Sequence, residues 1–349
     1  MEREDRNLAF MLRYENIAWY EDGKVRILDR RIYPKEVSFV TCTRHEEVRD
    51  AVRDMVTQSA GPYTAVGMAM ALAAKEAMDM GGNMEEYLKK ASLLISSARP
   101  TTRKRMAAIT DSCIPVALEA LKKGEKPDYA IRRHIVELND RRYGKIRRIS
   151  EYLAKKIPDD GTVMTQCFGE TIVGMMADTL RKEGKRVRFF CPETRPYFQG
   201  SRLTATVLSE MGFDTTVITD NMPAFVMEKE GVDLFTAASD AITMDGYVIN
   251  KVGTLQISIV ASHYGVPVYI TGDPDRFHKD HRDVEIEFRN PQLCLSAMGV
   301  KTAGEGVKGY YPAFDITPPD LITGIVTDKG IYSPFNLDSY FLDGGEGEY

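Results

Sequence analysis

The sequence predicts an α/β protein in two parts. A small β element plus a helical domain spans residues 1–156, and a Rossmann-like domain, a parallel sheet with helices on both faces, spans residues 157–349. Three observations carry this prediction. Apolar and aromatic residues alternate on either side of Asp22-Gly23 in "LRYENIAWYEDGKVRILDRRIYP" (Leu12 to Pro34). From about Arg44 to Lys156, Ala, Met and Leu recur at helical spacing without strand signals. From about Asp159 onward, short β-rich runs alternate with helical stretches, the pattern of strands joined by crossover helices.

Each element has its local reason. Asp22-Gly23 is a hairpin turn signal, because both central residues of a type I′ turn need positive φ. "TAVGMAMALAAKEAMDM" (Thr64 to Met80) shows the helical spacing, rich in Ala and Met, that marks the helical domain. "RRHIVELNDRRYGKIRR" (132–148) is basic but amphipathic, which makes it a solvated helix face rather than a polyanion site. The second half then reads "TVMTQC", a helix to Glu183, "RVRFFC", a helix near Ser201 to Met211, "TTVITD", "VDLFTAAS" and "PVYIT". Gly184, Gly212 and Gly265 each stop a helix ahead of a strand. "FDITPPD" (Phe314 to Asp320) reads as a loop closing onto the sheet, with Pro318 and Pro319 starting a helix, and the chain closes on a polar tail, "DGGEGEY".

Composition narrows the function classes. With 349 residues, 43% hydrophobic and 28% charged, the chain has the profile of a globular protein with room for two cores. No apolar run of about 20 residues could span a bilayer and nothing resembles a signal peptide, so the expected location is cytoplasmic. A formal charge of −5 gives no general attraction to nucleic acid or membrane. The five cysteines, Cys42, Cys113, Cys167, Cys191 and Cys294, contain no CxxC pair and read as reduced thiols.

Ligands of open parallel sheets bind beyond the carboxyl ends of the strands, and several reactive groups are expected there. Cys167 leaves the first strand ahead of a helix whose N-terminal amides would lower its pKa; a buried structural thiol is the alternative. Asp240 leaves the strand "VDLFTAAS" as a helix cap or a general acid/base. Gln199 and Gly200 open a helix after "CPETRPYF". Asn250 and Lys251 read as the start of a helix running to Gly265, where a lysine conflicts with the helix dipole unless an anion binds. His278 and His281 in "DPDRFHKDHRD" have no third ligand at fixed spacing and read as a surface loop.

"ETRPYFQGSRLTA", "ITDNM", "AASDAITMDGYVINKVGT" and "PAFDITPPDLITGIVTDKG", with "SARPTT" (Ser96 to Thr102), closely resemble the methylthioribose-1-phosphate isomerases. These are relatives of ribose-1,5-bisphosphate isomerase and of the regulatory subunits of translation initiation factor 2B. The resemblance implies a helical domain, a Rossmann-like domain, a homodimer, and conversion of an aldose 1-phosphate to a ketose 1-phosphate without metal or other cofactor. By motif it makes Cys167 and Asp240 the catalytic pair, and Arg99, Gln199, Asn250 and Lys251 the groups that hold the substrate, mainly its phosphate.

Two departures bear on the substrate. Where such isomerases carry an Arg-Gly-Ala-Pro loop, this chain has "TQSAGPYTAVG" (Thr57 to Gly67), one phosphate cation fewer. Where they read Thr-His-Cys-Asn, it has Thr165-Gln166-Cys167-Phe168. The first expectation is 5-methylthioribose 1-phosphate. Its rivals are another pentose 1-phosphate, 5-deoxyribose 1-phosphate or ribose 1,5-bisphosphate, and a non-catalytic regulatory subunit, which would leave thiol and carboxylate unused.

Overall fold

The computed structural model describes residues 3–99 and 102–346; Pro100 and Thr101 of "SARPTT" and the last three residues of the tail lie outside them. It divides into two units between Gly144 and Lys145, twelve residues ahead of the expected boundary at 156/157. The cause is one long helix that carries the chain from the first unit into the second.

The first unit opens with a short helix, α1 (Tyr14–Ile17), and an antiparallel sheet of β1 (Ala18–Glu21), β2 (Lys24–Leu28) and β3 (Phe39–Cys42) in the order β1-β2-β3. Asp22 and Gly23 both take positive φ between β1 and β2, as the turn requires. β3 is an addition to the expected hairpin. Helices α2 (His45–Arg53), α3 (Gly61–Met80), α4 (Met84–Ser96), α5 (Arg103–Lys122) and the long α6 (Pro127–Ala154) follow. α3 is buried from Gly61 through Ala77 on almost every face and packs against β1, β2, α2, α4 and α5. Its alanines let neighbouring backbones approach closely, which is why a nearly charge-free helix sits at this core.

The second unit contains β4 (Gly161–Met164), α7 (Thr171–Lys182), β5 (Val187–Pro192), α8 (Ala205–Glu210), β6 (Asp214–Ile218), α9 (Pro223–Val226) and β7 (Leu234–Ala238). Then come β8 (Ala241–Ile242), β9 (Val248–Lys251), α10 (Thr254–Tyr264), β10 (Val268–Thr271), β11 (Ser296–Ala297) and β12 (Val300–Lys301). β13 (Phe314–Thr317), β14 (Gly324–Val326), β15 (Ile331–Tyr332) and α11 (Asp338–Leu342) complete it. The main sheet runs β15-β14-β10-β7-β4-β5-β6, parallel except for β15 at one edge. Strand succession runs outward from β4 through β5 and β6 on one side, and through β7, β10 and β14 on the other. The order therefore reverses between β4 and β7, the place where an open α/β sheet holds its ligand.

Two expectations are corrected here. Asn250 and Lys251 do not begin a helix; they end β9, which pairs with β8 and β13 in a small antiparallel sheet, and α10 starts at Thr254. Phe314–Thr317 is strand β13 rather than a loop, because Phe-Asp-Ile-Thr alternates in the strand period and pairs residue by residue with β9.

Candidate active site

Cys167 and Asp240 leave the two strands that flank the reversal. β4 and β7 pair in parallel, with Met164 opposite Phe235; Cys167 lies three residues beyond the end of β4 and Asp240 two residues beyond the end of β7. The loop between β4 and α7 is tightly held. The Cys167 N–H donates to Thr194 Oγ1 (3.2 Å), the Thr204 hydroxyl donates to the Cys167 carbonyl, and Gln166 Nε2 donates to the Val252 carbonyl (3.1 Å). Cys167 and Glu170 in this loop take positive φ, as do Thr194 and Phe198 in the loop after β5. Non-glycine residues cluster in that region where function fixes a backbone that propensity would not choose.

The predicted activation of Cys167 by a helix N-terminus is overturned. α7 begins only at Thr171, and the thiol is pushed up to about 11. Burial is the largest cause, since protein surrounds the sulfur even though the residue keeps some solvent access. The Lys251 ammonium and the Phe168 N–H oppose the shift, while Asp240 adds to it. Cys167 is thus a protonated thiol at neutral pH. Cys42, Cys113 and Cys191 are also pushed up but are fully buried, so Cys167 differs from them by access.

Asp240 is not a helix cap, because β8 follows it at once; its N–H donates to the Ile249 carbonyl (2.9 Å) and its side chain is exposed at the rim. Lys251 is 4% exposed, donates to the Ala313 carbonyl (2.9 Å) and lies 4.5 Å from the Phe314 ring centroid. Burial lowers its pKa, while Cys167 and Asp240 act to raise it. Thiol, carboxylate and ammonium therefore share one electrostatic neighbourhood.

The conflict expected at α10 has a different resolution. An anion does meet that N-terminus, and it is Asp315 from β13. Its Oδ2 accepts from the Gly253 N–H (2.6 Å) and its Oδ1 from the Leu255 N–H (3.2 Å). Burial pushes this carboxyl up to about 6 against the opposing pull of those two bonds. Gly253 has φ 106°, and a Cβ there would stand 2.8 Å from Gln166 Nε2, so the turn joins α10 to the Cys167 loop only as glycine.

The remaining predicted residues divide. Gln199 is 6% exposed and its Oε1 has no hydrogen-bond partner among the described residues, as expected of a ligand-facing amide. Its turn is pressed against β5, for a Cβ on Gly200 would lie 1.7 Å from the Pro192 carbonyl oxygen. Asn250 is buried, with its Nδ2 donating to Thr254 Oγ1 (2.9 Å). Arg99 belongs to the first unit, where it donates to the carbonyls of Val52 (3.0 Å) and Thr57 (2.7 Å) and braces the "TQSAGPY" stretch.

Sequence reasoning missed Asp315, whose carboxylate was hidden in a segment read as a loop; the alternation of "FDIT" was the available signal. It also passed over two carboxylates beside His281, in a cluster that leaves out His278. Asp245, Asp280 and His281 have ligand atoms within 4.8 Å of one another, as do His45, Glu46 and Glu76 in the first unit. In each group the imidazole Nδ1 already meets a carboxylate at 2.6 Å: His281 with Asp245, and His45 with Glu76.

A profile of the initiation factor 2 subunit family matches residues 57–334. The chain is 36% identical over 345 residues to a 5-deoxyribose 1-phosphate isomerase of Clostridium botulinum, covering 93% of this chain and 98% of that protein. Its fold is similar to that of a 5-methylthioribose 1-phosphate isomerase from Pyrococcus horikoshii, with TM-score 0.79, 29% identity, and 94% and 96% of the two chains covered. It is equally similar, at TM-score 0.79 and 30% identity over 94% and 99% of the chains, to the translation initiation factor eIF-2B subunit delta from A. fulgidus.

Proposed function

Because the chain belongs to the initiation factor 2 subunit family, we propose that it is an aldose–ketose isomerase acting on a 5-deoxypentose 1-phosphate. The class includes 5-methylthioribose 1-phosphate, the sugar first expected, and 5-deoxyribose 1-phosphate, the rival that the more similar relative's name favours. The observation that carries the reading is the emergence of Cys167 and Asp240 from the two strands at the sheet's reversal, with Lys251 acting on both.

A phosphate on the anomeric oxygen locks the furanose closed, so the ring must be opened by an acid. Asp240 donates a proton to the ring oxygen as the bond from C1 to that oxygen breaks, leaving a cationic C1 that retains its phosphate. Hydrogen then moves with its electron pair from C2 to C1, and the C2 hydroxyl returns a proton to Asp240 as the ketone forms. Substrate and product are isomers, so no redox partner is needed. A protonated Cys167 is a poor standing base at C2 but a suitable hydrogen-bond donor to the oxygen that gains charge. Buried Phe168 beside it helps exclude water, which also favours the hydride route over proton exchange.

The test is a panel of 5-methylthioribose, 5-deoxyribose and ribose-5-phosphate 1-phosphates assayed for ketose formation. Turnover of the 5-deoxy sugars above the bisphosphate is expected. Run in D2O, the reaction should leave no solvent deuterium at C1, and EDTA should leave its rate unchanged; deuterium at C1 would replace the hydride step with an enolate. The likeness to the eIF-2B delta subunit supports a second reading, a non-catalytic regulatory subunit, and no turnover of any sugar 1-phosphate would favour it.

A further inference from the structure

The segment after β10 brings a second cation and an unpartnered hydroxyl to the same edge. Residues 287–289 run antiparallel to residues 311–313: Arg289 N–H donates to the Tyr311 carbonyl (3.0 Å), Ala313 N–H donates to the Glu287 carbonyl (2.8 Å), and Phe288 faces Pro312. The Ala313 carbonyl also receives the Lys251 ammonium. The Arg289 guanidinium lies 5.4 Å from the centroid of the Phe314 ring that Lys251 approaches to 4.5 Å, so both cations lie against one ring. Glu287 holds the guanidinium through Nε (2.6 Å) and Nη2 (3.4 Å), and the Arg289 side chain remains 18% exposed.

Tyr311 is 3% exposed, and its hydroxyl has no hydrogen-bond partner among the described residues. Arg289 stands near enough to act on the hydroxyl as a donor, but no bond of full hydrogen-bond geometry joins them, and the Tyr197 ring centroid is 6.2 Å away. The charge of Arg289 acts on Cys167 and on Lys251, and Tyr311 feels Cys167. A buried hydroxyl left unpaired is costly, and beside two cations the partner that suits it is an acceptor-rich anion.

We propose that Arg289 and Tyr311 hold the substrate's phosphoryl group beside Lys251, supplying the phosphate cation that the "TQSAGPY" stretch lacks. The inference rests on the isomerase reading for the substrate's identity, but phosphate binding can be measured without turnover. A guanidinium and a phenol both donate, and the fork of the former matches phosphate oxygens.

Calorimetric titration of the full chain with inorganic phosphate tests the proposal. Arg289→Met should weaken binding by about tenfold or more and Tyr311→Phe by about three- to tenfold, while Arg289→Lys keeps part of the affinity. Tyr311→Phe removes a hydroxyl that has no partner in the free protein, so its unliganded melting temperature should equal or exceed that of the wild type; a merely structural tyrosine would lower it. A wild-type chain that binds no phosphate, or Tyr311→Phe and Arg289→Met variants that bind it with wild-type affinity, would overturn the assignment. If the variants lose phosphate while no sugar 1-phosphate is turned over by the wild type, the isomerase reading falls and this one stands.

Discussion

A thiol pushed up to about 11 and a carboxylate at the rim set what single substitutions should do. Cys167→Ala removes the thiol donor, and Asp240→Asn keeps the shape but has no proton to cycle. Both should lower kcat by on the order of 10²-fold or more with little change in KM, since their contribution belongs to the transition state. Lys251→Ala removes a charge-assisted contact present before and during reaction, so it should mainly raise KM, by roughly ten- to a hundredfold. Steady-state kinetics on the best substrate of the panel separates the two patterns. Full turnover by Cys167→Ala would return the thiol to a structural role, and full turnover by Asp240→Asn would remove the carboxylate as the acid. Cys167 and Asp240 could be picked from the sequence because each follows an apolar strand. The state of the thiol could not, because it depends on how much protein closes around the sulfur.

At the scale of elements, the informative unit is β9, α10 and β13. Its lysine drew notice for a reason the structure removes, since Lys251 ends β9 instead of opening α10, and the anion that answers the α10 amides arrives from a strand some sixty residues later, a pairing that nothing local announces. The main parallel strands were readable because buried β-branched runs and the glycines that end the helices are local signals. β8, β9 and β13 were not: β8 has two residues and meets β9 in a short hairpin, and β13 is defined by a partner some sixty residues earlier. Asp315 gives this element a measurable signature. Its folded pKa of about 6 stands above the ordinary 3.8, so the folded state holds its proton to higher pH than the unfolded chain does. The stability linked to that proton is present below about pH 4 and is lost as pH rises through about 6, by no more than about 3 kcal/mol. Asp315→Asn, whose one oxygen keeps one of the two amide bonds and whose side chain does not titrate, should lower stability overall and flatten its profile between these pH values. Chemical denaturation at pH 4, 5, 6 and 7 checks it, and an identical slope in wild type and variant would remove Asp315 as the titrating group.

For the whole molecule, among the described residues no helix is long and apolar enough to cross a membrane, so large apolar side chains left in water call for another explanation. In the second unit α9 packs beside α10; α9 leaves Phe225 exposed at 64%, and α10 leaves Ile259 at 52% and Tyr264 at 38%. The open edge of the main sheet, β6, adds Val217 at 47%. An exposed edge strand flanked by apolar helix residues risks uncontrolled pairing unless something covers it, and a second copy of the chain is the simplest cover. We propose a homodimer that buries this side. Light scattering at micromolar concentration should give twice the chain mass of 39.2 kDa, and Phe225→Asp should return the single-chain mass with the far-ultraviolet circular dichroism unchanged. A wild-type monomer at that concentration would refute the dimer. A Phe225→Asp variant that remains dimeric would move the interface elsewhere, because a carboxylate at the centre of an apolar contact loses its hydration without gaining a partner.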